Sequence, residues 1–138
     1  MTNEHALKVA AEINARADAI SALQPGDGVS VSLWSDWEAY TIVSRTETRM
    51  TLQEDKATRD PAWKPEWVAG GFAGHCTNQR SQKWLYERDP TGPILQISLR
   101  KYTHEGTERR VWKRAGVGRH ELGGAVTPGR SKFHDYNF

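Results

Sequence analysis

At Pro25-Gly26 the spacing of apolar side chains changes from the period of a helix to the period of a strand, and no later segment returns to the helical period. Before that point Ala6, Val9, Ala10, Ile13, Ala17, Ile20 and Leu23 recur at steps of three and four, which puts them on one face of a helix. Asn3 is expected to cap that helix, with Glu4 in its first turn, and Pro25-Gly26 ends it. Alanines make the stripe shallow, so the helix is expected to lie across a barrel end or to pair with a second copy of itself.

After Gly26 the alternation of Val29, Val31 and Leu33 with Ser30, Ser32 and Trp34 predicts a half-buried strand. Ser35-Asp36 reads as a turn, with Asp36 capping it, and Ala39 to Val43 as the second arm of a hairpin. Further strands are expected at Met50 to Gln53, Gln82 to Glu87, Ile94 to Lys101 and Arg109 to Arg114. The turn Asp89-Pro90-Thr91-Gly92 is read as joining two of them into a second hairpin. From Asp55 to Gly74, Pro61, Pro65 and Gly70-Gly71 predict a long loop, at about 55–75, whose Trp63 and Trp67 pack back onto the barrel. Glycines at 116, 118, 123, 124 and 129 predict a mobile connection to an aromatic C-terminus anchored by Tyr136 and Phe138. The fold class that follows is mainly β: a small SH3-like or OB-like antiparallel barrel or roll with one N-terminal α-helix. Residues 1–25 form the helix and residues 26–138 the barrel domain.

A chain of 138 residues buries roughly two-thirds of its unfolded surface as one domain. Only 37% of it is hydrophobic, so six tryptophans must supply much of the apolar area. Cys76 is the single cysteine, which excludes an internal disulfide and favours a reducing, cytoplasmic setting. The opening Met1-Thr2-Asn3-Glu4-His5 does not read as a signal peptide, and no segment approaches the ~20 apolar residues of a membrane span.

The net charge is +2, but residues 77–119 hold ten basic side chains against four acidic ones. The candidate binding surface drawn from this segment comprises Arg80, Lys83, Trp84, Arg100, Lys101, Arg109, Arg110, Trp112, Lys113 and Arg114. Cations neutralise phosphates and release counterions, and Trp84, Tyr86, Tyr102 and Trp112 offer surfaces on which bases stack. The competing interpretation places the aromatics inside and the cations on ordinary solvated strand faces. Lys56, Thr58 and Arg59 are expected to bond to the returning C-terminus. The five histidines, at 5, 75, 104, 120 and 134, show with Cys76 no zinc-ligand spacing. A phosphate loop, a dinucleotide fingerprint and a nucleophile elbow are all missing, so neither cofactor nor catalysis is expected.

Several strings resemble a family of small uncharacterised phage and prophage proteins. They are Ser35-Asp36 with Ala39-Tyr40-Thr41-Ile42-Val43, Asp55-Lys56-Ala57-Thr58-Arg59, Asp89-Pro90-Thr91-Gly92 leading to Leu99-Arg100-Lys101, Val111-Trp112, and the ending Asp135-Tyr136-Asn137-Phe138. The resemblance runs from about Gly26 onward and omits the helix, the segment from Trp63 to His75 and Thr103-His104-Glu105-Gly106. It implies a phage-derived protein of the bacterial host cytoplasm. The expected function is therefore non-enzymatic binding of a host protein or nucleic acid through a barrel face, with the helix as a second candidate surface and a route to a homo-oligomer. Two alternatives are a nucleic-acid binder using the basic 77–119 face, and a small enzyme with its site beneath the 55–75 loop.

Overall fold

A computed structural model of the chain describes residues 4–70, 73–118, 121 and 123–137. The expected cap at Asn3 and anchor at Phe138, together with Arg119 and His120, lie outside the described residues. One helix, α1 (Glu4–Ser21), precedes ten strands: β1 (Gly28–Leu33), β2 (Asp36–Arg45), β3 (Arg49–Glu54), β4 (Lys56–Arg59), β5 (Trp67–Gly70), β6 (Ala73–Cys76), β7 (Trp84–Glu87), β8 (Ile94–His104), β9 (Thr107–Arg114) and β10 (Val126–Pro128).

Six strands form one antiparallel sheet in the order β10-β1-β2-β3-β8-β9, a meander that curls until its two edges meet. Contact between the edges is made by the Lys113 and Ala125 bridge and by the Arg114 N–H, which donates to Gly124 O at 2.9 Å. The molecule is thus mainly β, a nearly closed barrel with one N-terminal helix, as its alternating pattern implied. Val29, Val31, Tyr40, Ile42, Met50, Leu52, Ile97, Trp112 and Val126 point inward, and Ala17 and Ile20 of α1 complete the core. A register shift between Ile42 and Ser44 gives β2 the local bend that a small closed sheet requires.

The helix lies along β9, with Ala6, Ala10, Ala17 and Ile20 buried. Its small side chains permit a close approach, and three polar ones fix its position. Asn14 imitates a neighbouring strand: its amide nitrogen donates to Glu108 O at 3.0 Å while its oxygen accepts the Arg110 N–H at 2.8 Å. Asp18 holds the Arg110 guanidinium at 3.0 Å, and Ser21 Oγ accepts the Trp112 indole N–H at 2.9 Å. The helical stripe is thereby spent on this chain's own exposed strand edge, which would otherwise invite pairing.

Four sequence expectations need correction. The segment from Asp55 to Gly74 is not simply a loop, because β4 pairs with β7 and β5 with β6 in two small ribbons. The strand at 82–87 does not form a hairpin with Ile94 to Lys101. The Asp89–Gly92 turn exists, with Gly92 N–H donating to Asp89 O at 3.0 Å, but it hands the chain from one sheet to another. β8 pairs instead with β3 and with β9, and Gln53 of β3 secures the crossing by donating to Pro90 O at 2.9 Å. Of the two tryptophans expected to pack back, Trp63 is 6% exposed and does so, whereas Trp67 is 51% exposed. The glycine-rich connection also contains a strand, β10.

Residues 129–137 return as a strap across the outer face of β1 and β2. Trp37 and Phe133 exchange backbone hydrogen bonds of 2.8 and 2.9 Å, and Ser30 Oγ accepts the Ser131 N–H at 2.7 Å. The anchor of the strap is ionic. Arg130 Nε donates to Asp55 Oδ2 at 2.7 Å, its Nη2 to Thr41 Oγ1 at 2.8 Å, and the Thr41 hydroxyl to Asp55 Oδ1 at 2.6 Å. The Asp55 side chain is 1% exposed, so it is satisfied by that guanidinium and hydroxyl in place of water. Gly28 makes room, since a Cβ there would stand 2.6 Å from Arg130 Cγ. Removing one member of a buried ion pair leaves an uncompensated charge. Arg130→Ala is expected to lower the unfolding free energy by about 3 kcal/mol, measured by urea denaturation. A loss below about 0.5 kcal/mol would show that the strap is not anchored in this way.

Candidate functional site

The antiparallel register of β8 and β9 brings several basic residues of the sequence-derived surface together, with Arg100 opposite Val111 and Lys101 opposite Arg110. Most of those cations are then consumed internally. Arg100 donates to the carbonyls of Val117 and Arg114, closing the turn after β9. Arg110 clamps Asp18, and Arg109 is 7% exposed with its Nε donating to Thr107 Oγ1 at 3.0 Å. Lys113 is also 7% exposed and donates to Gly118 O at 2.8 Å and Glu121 O at 2.6 Å. Burial, followed by the Arg100 charge, lowers its pKa, and Glu121 opposes the shift. Trp112 is 1% exposed and belongs to the core, and Arg114 is half-buried. Lys101 remains exposed on this ribbon, while Arg80, Lys83 and Trp84 lie apart from it, before and within β7.

A different face gathers rings and cations at the surface. It is built where the strap passes the β4–β7 ribbon, and side-chain amides stitch the two together. Gln82 Oε1 accepts the Trp84 indole N–H at 2.7 Å and the His134 backbone N–H at 2.9 Å, while its amide nitrogen donates to His134 O at 2.9 Å. Gln79 Oε1 accepts the Tyr136 N–H at 2.9 Å, and Asn137 pairs through its side chain with both backbone groups of Cys76, at 2.7 and 2.9 Å. The rings are therefore held before any ligand arrives. His134 and Trp67 meet Tyr136 edge-on at centroid distances of 4.5 and 6.0 Å, and Trp63 lies tilted to it at 5.8 Å.

Two open depressions share Arg59 as their common wall. One, of about 440 Å³, is lined by Arg59, Trp84, Lys132, His134 and Tyr136. The other, of about 420 Å³, is lined by Arg59, Asp60, Pro61, Trp63, Lys64 and Pro65. Lys132 Nζ stands 5.0 Å from the Trp84 ring centroid and is neutralised by both Glu38 carboxylate oxygens, at 2.7 and 2.8 Å. Arg59 Nη1 reaches the Tyr136 hydroxyl at 3.5 Å, a contact with the returning chain of the kind expected for this residue. Asp36 accepts the Asp135 N–H at 2.7 Å and lies 3.7 Å from His134 Nδ1, which links this face to the β1–β2 hairpin. At the tip of that hairpin Trp34 is 77% exposed with φ at 54°, beside the partly exposed Leu33.

A separate groove of about 350 Å³ runs between α1 and β9, with Val9, Ile13 and Val111 inside and Glu12 and Arg16 on its rim. Cys76 is buried, with its thiol 3.5 Å from Asn78 Oδ1. Among the described residues no serine or cysteine donates to a histidine, no three metal-binding side chains converge, and no helix is long and apolar enough to cross a membrane.

Sequence reasoning reached Trp84, Lys83 and Arg80 but missed Lys132, His134, Tyr136 and Trp34 as surface groups. The signal for Tyr136 was the aromatic ending itself, which was assigned to anchoring. Compared with family models, curated proteins and solved structures, the chain matches none of them.

Burial, then the neighbouring Glu54 and Glu38, pushes Tyr40 up to about 12, and burial followed by Glu38 raises Glu54 above its usual 4.5. Folding thus favours protonated Glu54. Its favourable contribution is complete below pH 4.5 and is lost as the pH rises through that value toward the raised one. Glu54→Gln is expected to raise the melting temperature at pH 7 and to leave it unchanged well below pH 4.5, in calorimetric scans at the two pH values. A variant destabilised at pH 7 would contradict this.

Proposed function

We propose that the protein is a non-enzymatic, phage-type binding protein that engages a macromolecule through the end of the barrel carrying Trp34 and the strap. The observation that carries this reading is Trp34. An indole 77% exposed at a left-handed backbone position combines two unfavourable choices, because such a site favours glycine or asparagine and water disfavours the ring. The left-handed conformation alone costs roughly 1–2 kcal/mol for a residue with a Cβ. A tryptophan at that position is accounted for by a contact made outside the chain, where tryptophan is among the side chains most enriched in energetic hot spots.

Trp67 supports the same conclusion. It is half exposed beside Tyr136, and Tyr136 connects through His134 and Asp36 to the Trp34 hairpin. One end of the molecule therefore presents indoles on a rigid base, which limits the ordering cost of binding. The phage character and the bacterial cytoplasm rest on the strings from Ser35 to Val43 and from Asp55 to Arg59.

Trp34→Gly is expected to raise the unfolding free energy by about 1 kcal/mol, since the left-handed strain is relieved and little packing is lost. In pull-downs from bacterial lysate after chemical cross-linking, the parent is expected to retain a macromolecule that Trp34→Gly and Trp67→Ser do not. Equal retention by all three proteins, or none by the parent, would reject the proposal.

A further inference from the structure

We infer that the face divided by Arg59 binds single-stranded nucleic acid, taking two successive nucleotides with the phosphate between them on the Arg59 guanidinium. This deepens the binding-protein reading and rests on it. The two depressions, of about 440 and 420 Å³, adjoin along one side chain, and that side chain is a cation with a planar fork suited to phosphate oxygens. On one side of it stand the rings of Trp84, His134 and Tyr136, and among the described residues no carboxylate lines that depression. On the other side Pro61, Pro65 and the largely buried Trp63 share the lining, and the acid in it, Asp60, already accepts the Ala62 N–H at 2.9 Å.

A base stacks on any π-face irrespective of sequence, so alternating rings and cations suit a flexible strand. Both depressions are open, and one lies between the β4–β7 ribbon and the strap. A base lies on those rings only when it is free of its own stack, which favours single strands over duplex. Exposed Lys64 lines the second depression, and exposed Lys83 is tied to it where its carbonyl accepts the Asp60 N–H at 2.9 Å. An acidic protein segment would use the cations but would have no use for the rings of Trp84, His134 and Tyr136. The aromatic component therefore decides between the two partners.

The test is fluorescence anisotropy with a labelled oligothymidylate, its duplex with oligoadenylate, and labelled polyglutamate, each across a salt series. The single strand is expected to bind at least about tenfold more tightly than the duplex or polyglutamate, and to quench tryptophan fluorescence. Arg59→Ala is expected to weaken it about tenfold and to reduce the slope of log affinity against log salt by about 0.7, the value for one phosphate of a single strand. His134→Ala, which removes an exposed ring and keeps the backbone bonds to Gln82, is expected to weaken binding about fivefold at unchanged slope. Arg49→Ala, at the far end of β3, serves as the control for loss of an exposed cation and should change little.

Absence of binding at low salt, equal binding of duplex or polyglutamate, or an Arg59→Ala variant indistinguishable from Arg49→Ala would each overturn the assignment. If Trp34-dependent capture persists in any of these cases, the nucleic-acid assignment falls and the binding-protein reading stands. Loss of Trp34-dependent capture with single-strand binding intact would instead reject the Trp34 surface and leave the Arg59 face standing.

Discussion

The bond between Arg130 and buried Asp55 is the constraint on which the outer half of the molecule depends. Asp55 opens the excursion that leaves the barrel after β3, and Arg130 opens the strap that returns to it, so one ion pair ties both departures to β2 through Thr41. A carboxylate 1% exposed tolerates few alternatives, because its oxygens find hydrogen bonds there from the guanidinium and the hydroxyl. With that point held, residues 131–137 follow a defined path, and Gln79, Gln82 and Asn137 bind them along it. The positions of His134 and Tyr136 are thus a consequence of a charge pair at the other end of the strap.

A second constraint is the seam of the barrel. Six strands of this length meet near Lys113 and Ala125 but leave the rest of β9 as an open edge. Asn14 supplies the missing hydrogen bonds and Ala17 and Ile20 the missing core, which makes α1 part of the barrel's closure rather than an appendage. This arrangement also settles how a chain with 37% hydrophobic residues builds a core. Trp112 fills the interior while Trp34 and Trp67 remain outside, so the same residue type serves packing in one place and presentation in another.

Much of the architecture was legible in the sequence. The helical stripe ending at Pro25-Gly26, the alternation in β1 and the β-rich run in β2 each reflect local geometry, and each was found within a few residues. Strand pairing was less accessible. The Asp89–Gly92 turn has the residues of a hairpin, yet its flanking strands belong to different sheets because β3 and β4 claim them first. Pairings across such distances are decided by which edges remain unfilled, and no local pattern records that.

The candidate site divides in the same manner. Composition established that residues 77–119 are basic, and strand-forming runs placed most of its cations on expected strands. What neither contains is the destination of each charge. Arg100 and Lys113 end on loop carbonyls and Arg110 on the helix, whereas Arg59 ends between two open depressions. A cation's chemistry is a property of its residue type, but its availability depends on which carbonyls and carboxylates the folded chain places within about 3 Å of it. The sequence by itself determined the elements and the charges; the tertiary structure decided which charges face a partner, because long-range packing alone sets those distances.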